Sequence, residues 1–250
     1  MKRIFATIIT LGMVATAAVT SCKKDNTICY FNTTMGNIEG ECIVSDQGNT
    51  FTIVETPYEV KLEDYKYGRV WIMCDVLTQT GEKAYDIRLS LIESVLTKPA
   101  VKASTITDEE LLVEDAVVIR DMWCAGGYLN MLIEFAHKEG SETAHWINLI
   151  HDDTFTGEGY SFILRHNAYG EVPTQDATFR SSMGYVSFPI SQIIKEDEAK
   201  ITLTWTSHKQ TGLGYDLYEK EVVKRDGPWT RSEFEHKNVT VQPSKSFLAK

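Results

Sequence analysis

The chain has 250 residues, 43% of them hydrophobic and 24% charged, and carries a net charge of −10 at neutral pH. That much apolar material excludes wholesale disorder. The acidic balance argues against broad electrostatic binding of nucleic acid, which needs a basic face; here lysines and arginines are scattered. Domains run to roughly 100–150 residues, so one large or two modest domains are expected.

The chain opens with Met1-Lys2-Arg3, and Ile4 to Val19 carry no charge. A basic start, an apolar run and a small-residue end read as a secretory signal peptide over residues 1–21. The run is short for a permanent span, which needs about 20 apolar residues. It closes on Val19-Thr20-Ser21-Cys22, which resembles the bacterial lipobox: aliphatic, small, small, cysteine. That resemblance implies cleavage before Cys22 and acylation of its sulfur and its new amino group. Two or more chains hold a protein far more firmly than one, each buried CH₂ contributing roughly 0.8 kcal/mol. Cys22 is the expected lipidation site and the membrane the expected partner. Lys23-Lys24-Asp25-Asn26 then opens a hydrophilic tether over residues 22–37. This charged start resembles the export signals of surface lipoproteins in the Bacteroidetes. The expected address is the outer membrane, with the cell surface and the periplasmic face both open.

With Cys22 set aside, Cys29, Cys42, Cys74 and Cys124 remain. The envelope is oxidising, and four cysteines allow three full pairings that sequence does not distinguish. Cys74 lies in phase with Val70, Ile72 and Val76, which favours a buried thiol.

The rest of the chain is dominated by period-two patterns. "TFTIVE" places Phe51 and Ile53 on one face. "RVWIMCDV" is apolar on both faces except at Asp75, as in a well-covered strand. "KAYDIRLSLIE" alternates Tyr85, Ile87, Leu89 and Leu91 against Asp86, Arg88 and Ser90. Turn signals at Asp46-Gln47-Gly48-Asn49 and Gln79-Thr80-Gly81-Glu82 separate these runs. Residues 38–103 therefore read as a small unit of about five strands. Thr105 to Leu112 read as one short helical turn or a polar linker, with Thr107 and Glu110 at capping-box spacing. A second series follows over residues 104–250, including "GYLNMLIEFAH", "HWINLIH", "GYSFILRH", "GYVSFPI" and "KITLTWTS". Seven short strands with turn signals between them predict a β-sandwich.

A lipobox, a small five-stranded unit and a sandwich opening with "IRDMWCAGGYLNMLIEF" together resemble the NigD-like lipoproteins of Bacteroidetes. "YGRVWIMCDV" and "YDIRLSLIESVLTK" fit the first unit. Asp121, Trp123, Gly127, Tyr128, Leu129 and Asn130 fit the second. The resemblance covers nearly the whole chain after the signal. It implies an all-β protein with an N-terminal five-stranded OB-like barrel and a C-terminal immunoglobulin-like β-sandwich. The family takes its name from a gene neighbouring a bacteriocin cluster, so the match speaks to architecture and address rather than to an activity.

The chemistry-bearing residues point away from catalysis. His145 and His151 share a strand face, but six residues of extended chain put them roughly 20 Å apart, too far to grip one ion. The chain contains no G-x-S-x-G or H-E-x-x-H motif. Cys124 beside Gly126-Gly127 reads as structural, and the glycines as a tight turn or bulge leading into a strand. The acidic runs Asp152-Asp153, Glu109-Glu110 and Glu196-Asp197-Glu198 read as solvated surface rather than as a facing pair across a cleft. The suggestive feature is aromatic: Tyr58, Tyr65, Tyr67 and Trp71 cluster around one connection of the barrel. Tyr215, Tyr218 and Trp229 flank later glycine-rich turns. Aromatic faces can stack on sugars or anchor a protein partner. The expectation is a binding module for a protein or glycan ligand, with no catalytic residues, metal or cofactor. A hydrolase with a site between the two units and a purely structural envelope protein are the alternatives.

Overall fold

The computed structural model describes residues 28–173, 178–209 and 214–225. Fourteen strands account for nearly all of its regular structure, relieved only by three short 3₁₀ turns. The expectation of an all-β chain with a barrel followed by a sandwich is met.

The barrel consists of β1 (Ile28–Glu39), β2 (Cys42–Ser45), β3 (Thr50–Glu55), β4 (Arg69–Gln79) and β5 (Ala84–Ser94). They close in the order β1-β2-β3-β5-β4, with β4 returning to β1. Only the β3–β5 pair is parallel; the other neighbours run antiparallel. Register shifts interrupt β1, β3 and β4. Such bulges raise local twist and let so few strands close. Gly36 lies where β1 crosses β2: an added Cβ would sit 2.5 Å from the carbonyl oxygen of Val44. Ile43, Phe51, Val70, Ile72, Cys74, Ile87 and Leu89 fill the interior. The phase read for Cys74 is present, with Val70, Ile72, Cys74 and Val76 inward.

β1 enters the barrel within the stretch expected to be tether. Residues 28–37 are strand, and their backbone pairs with β2 and β4. The run "NTTMGN" lacks apolar alternation, so its role comes from backbone pairing rather than from a hydrophobic face. The expected lipidation site Cys22 lies outside the described residues.

The sandwich begins where the barrel ends. Two short strands, β6 (Leu96–Thr97) and β7 (Val101–Lys102), lie on either side of Pro99. β6 pairs with β12 (Phe179–Pro189) in one sheet; β7 pairs with β10 (Trp146–His151) in the other. The linker thus stitches both sheets to the barrel's exit. The remaining strands are β8 (Val118–Ala125), β9 (Tyr128–Lys138), β11 (Tyr160–Asn167), β13 (Glu198–His208) and β14 (Tyr215–Arg225). They form the sheets β14-β13-β11-β10-β7 and β6-β12-β9-β8. Leu129, Met131, Ile133, Leu149, Phe162, Phe188, Ile201 and Leu203 fill the space between them. Burying a side chain of this kind contributes roughly 1.5–3 kcal/mol. The expected helical segment at 105–112 is two 3₁₀ turns, Ala103–Thr105 and Glu109–Leu112. Its cap is Asp108, whose carboxylate accepts from the Glu110 N–H, rather than Thr107. The second turn packs on β11.

Candidate functional site

The barrel and the sandwich meet on a buried arginine. Arg69 is the first residue of β4, and its side chain is 1% exposed. A buried guanidinium is tolerated only when its donors are occupied. Here Nη1 and Nη2 donate to the two Asp46 carboxylate oxygens at 2.8 and 2.7 Å. Nη1 also reaches Asn37 Oδ1 at 3.1 Å. Across the junction, Nη2 donates to Asn130 Oδ1 at 2.8 Å and Nε to Ser187 Oγ at 3.0 Å. The guanidinium carbon lies 3.9 Å from the centre of the Tyr128 ring. The partners come from β1, the β2–β3 turn, β9 and β12.

Local structure delivers these groups. The turn read at Asp46-Gln47-Gly48-Asn49 is closed by Gly48 N–H to Ser45 O and Ser45 N–H to Asn49 O, both 2.8 Å. It carries Asp46 to the bend at Gly126, where φ is +59° and an added Cβ would collide with the Asp46 carboxylate. On β9 and β12, Asn130 and Ser187 are register partners on the face opposite the sandwich core. Ser187 donates to Asn130 Oδ1 at 2.6 Å. Nothing in the local sequence singles out Arg69. The signal that could have found it is a charge heading an otherwise apolar strand, with Asn130 and Ser187 as polar interruptions in two apolar-rich strands.

Of the four expected binding aromatics, the structure separates Trp71 from the rest. Trp71 of β4 stacks on Tyr185 of β12 at 5.4 Å and 19°, and Tyr185 meets Trp123 of β8 edge-on at 6.5 Å. It extends the junction as a ladder of rings. Tyr65 is half-buried against the barrel core. Its hydroxyl is raised above the ordinary range by burial, then by Tyr58 and Asp64 nearby. Tyr58 and Tyr67 are 43% and 39% exposed, with the Lys66 ammonium over the Tyr67 ring at 5.5 Å.

A second polar cluster closes one end of the sandwich core. His145, just before β10, and His151, its last residue, do face inward, but at opposite ends, and neither is the other's partner. His151 lies against Phe162 at 5.1 Å. His145 Nδ1 is 2.9 Å from His166 Nε2. His166 Nδ1 is 2.9 Å from the Ala116 carbonyl, which can only accept, so this nitrogen carries the proton. His166 Nε2 therefore accepts from His145 Nδ1–H. His145 Nε2 faces Glu171 at 3.5 Å. Both rings and His137 surround Phe135. Burial pushes the His166 pKa down. The Glu171 carboxyl is held down at about 2, first by the Ser141 hydroxyl and then by the Lys138 N–H and further hydrogen bonds, against some burial. Ser141 bonds the Glu171 carboxylate, while Ser182 Oγ lies 2.8 Å from His137 Nε2. Among the described residues, no three His, Cys, Asp or Glu side chains assemble as a metal site requires.

Cys42 and Cys124 are free thiols among the described residues; the Cys29 side chain lies outside what is described. Cys74 is buried as its phase requires, and burial, with Asp75 beside it, raises it to about 11. Burial raises Cys124 to about 12 although Lys224 opposes the shift. Such a thiol stays protonated and unreactive at neutral pH.

A closed barrel joined through a buried arginine to a two-sheet sandwich defines a two-unit, all-β protein whose junction is packed rather than open. Residues 99–218, most of the second unit, match the family model described as the NigD-like C-terminal beta sandwich domain. The likeness to that family read from the sequence is thereby borne out. Among solved structures, a protein described as toxin-related from Parabacteroides distasonis superposes with a TM-score of 0.56. It has 23% identity, over 76% of this chain and 92% of that one. A NigD-like immunity protein from Bacteroides caccae gives 0.51 at 18% identity, over 75% and 89%. A protein described as a lipoprotein from Bacteroides fragilis gives 0.55 at 12% identity, over 78% and 97%. At these identities the likeness is one of fold. No curated protein matches the chain. Among the described residues no helix is long and apolar enough to cross a membrane.

Proposed function

We propose that the chain is a cell-envelope lipoprotein acting as a non-catalytic interaction module. Acyl chains on Cys22 hold it at the outer membrane, and its two joined β units meet a protein or glycan partner. The observation that carries this reading is the junction between the units. A hydrolase working there would need two facing carboxylates across water; instead Asp46 faces Arg69, with both side chains buried. The polar groups at the interface hold the units together, while Tyr58 and Tyr67 stand open on the barrel. The lipobox at Val19–Cys22 supports the anchor, as does the shared fold of the Bacteroides fragilis protein described as a lipoprotein. The immunity and toxin-related descriptions of two fold neighbours direct the search for a protein partner toward bacteriocin-associated systems.

Two experiments test the reading. Cys22→Ser abolishes fatty-acid labelling and releases the protein from the membrane fraction; labelling that persists rejects the anchor. Glycan-array binding or capture of an envelope partner is lost when Tyr58→Ala and Tyr67→Ala are combined; binding that survives moves the surface elsewhere.

A further inference from the structure

The sandwich carries an exposed aromatic pair that the candidate surface on the barrel does not include. Trp146 opens β10 on the face opposite Ile147 and Leu149 and is 43% exposed. Tyr169 follows β11 and is 42% exposed. Their rings meet edge to face, 5.7 Å apart at 89°. Tyr169 has a φ of +49°, alone in that region among the described non-glycine residues. A bulky residue adopts this conformation only where its surroundings over-determine it. Three contacts do so. The Tyr169 N–H donates to Asn167 Oδ1 at 2.9 Å. Its hydroxyl donates to Glu110 Oε2 at 3.0 Å. Its ring abuts Trp146. The first fixes the backbone, and the other two hold the ring at the surface.

Carboxylates border Tyr169. Glu110 and Asp108 both act on the Tyr169 hydroxyl and raise its pKa, after burial as the largest cause. No ion pair occupies Asp108, Glu109 or Glu110 among the described residues. On this face of the sheet the Arg165 guanidinium is matched by Glu114 at 2.8 Å, and the Lys98 ammonium donates to Asn148 Oδ1. An indole face attracts a guanidinium or ammonium through its quadrupole, most strongly for Trp, and neighbouring carboxylates add to that attraction. A neutral sugar would use the ring but not the acids.

We propose that Trp146 and Tyr169, with Asp108 and Glu110, form a docking surface for a basic segment of a protein partner, with an arginine or lysine side chain laid on the Trp146 ring. This rests on the reading of the chain as an interaction module and adds a site and a partner chemistry to it.

The test uses the whole chain and a fluorescein-labelled oligo-arginine peptide, followed by anisotropy at low salt, with a soluble β-glucan as the neutral competitor. Wild type binds the peptide, and binding weakens as salt rises. Trp146→Ala lowers affinity by about threefold or more, the scale of one exposed cation–π contact. The pair Asp108→Asn and Glu110→Gln also lowers it. Glu82→Gln with Glu93→Gln, the same change of net charge made on the barrel, leaves it unchanged. Tyr169→Gly separates display from structure: it relieves the positive φ and keeps thermal stability, yet it binds more weakly. Equal binding by wild type and Trp146→Ala overturns the proposal, as does an equal effect of the barrel charge pair. Preferential, Trp146-dependent binding of the glucan overturns the choice of a basic partner. If peptide binding fails while partner capture dependent on Tyr58 and Tyr67 stands, this surface is rejected and the module reading survives.

Discussion

Arg69 and Asp46 meet through two hydrogen bonds, at 2.8 and 2.7 Å, with their side chains 1% and 3% exposed. Removing one partner of such a pair leaves an uncompensated buried charge, which costs about 3–5 kcal/mol. Asp46→Ala is expected to lower unfolding free energy by that amount in urea denaturation. Replacing both partners with apolar residues of similar size, Arg69→Met with Asp46→Leu, removes the charge as well and is expected to cost less than the single change. A double variant worse than Asp46→Ala would show that Asn37, Asn130 and Ser187 need the guanidinium more than the carboxylate does.

Gly126 is coupled to the same pair. Its φ of +59° and the collision awaiting an added Cβ predict that Gly126→Ala destabilises by about 1–3 kcal/mol. In an Asp46→Ala background the collision is relieved and only the conformational cost remains, so the two changes are less than additive. A thermodynamic cycle over the four proteins checks this; strict additivity would separate Gly126 from the junction.

Trp71 and Tyr67 lie four residues apart in sequence and have different roles. Trp71 stacks on Tyr185, and aromatic pairs contribute about 0.5–1.5 kcal/mol beyond their buried area. Trp71→Ala is expected to destabilise by at least that much. Tyr67→Ala, at an exposed site, should stay within about 0.5 kcal/mol of wild type. Thermal melts of the two variants separate a structural ring from a displayed one.

The histidine pair sets an acid limit. The His166 pKa is depressed by burial below its ordinary 6.5. The unfolded chain therefore takes up a proton at a pH where the folded chain does not, and stability falls as pH drops below about 6.5. The Glu171 carboxyl, depressed to about 2 from 4.5, adds a further loss as pH falls from 4.5 toward 2. His166→Gln removes the first of these. Chemical denaturation across this range should show a flatter dependence between pH 6.5 and 5 in that variant; parallel curves would place the titrating group elsewhere.

Much of the fold was legible because strand alternation is local. Val70, Ile72, Cys74 and Val76, or Ile201, Leu203 and Trp205, declare a buried face within one strand. β1 was harder to read, because polar residues at 32–34 hide a strand whose partners lie on β4. β6 and β7 have two residues each, too few for a period. The junction was not legible at all: Arg69 finds Asp46, Asn130 and Ser187 at separations of 23, 61 and 118 residues. Sequence spacing did exclude a shared ion for His145 and His151, but it gave no hint of His166, which the pairing of β10 with β11 brings to His145. The exposed aromatics divide in the same way. Tyr58 and Tyr67 could be named from the sequence, whereas Trp71 was drawn inward by a tyrosine over a hundred residues away.

Calorimetric unfolding of wild type and Arg69→Ala shows whether Arg69 joins the barrel and the sandwich into one cooperative unit. One transition is expected in wild type, with calorimetric and van't Hoff enthalpies equal, and two separated transitions in Arg69→Ala. Two transitions in wild type, or a single unshifted one in Arg69→Ala, would contradict that expectation.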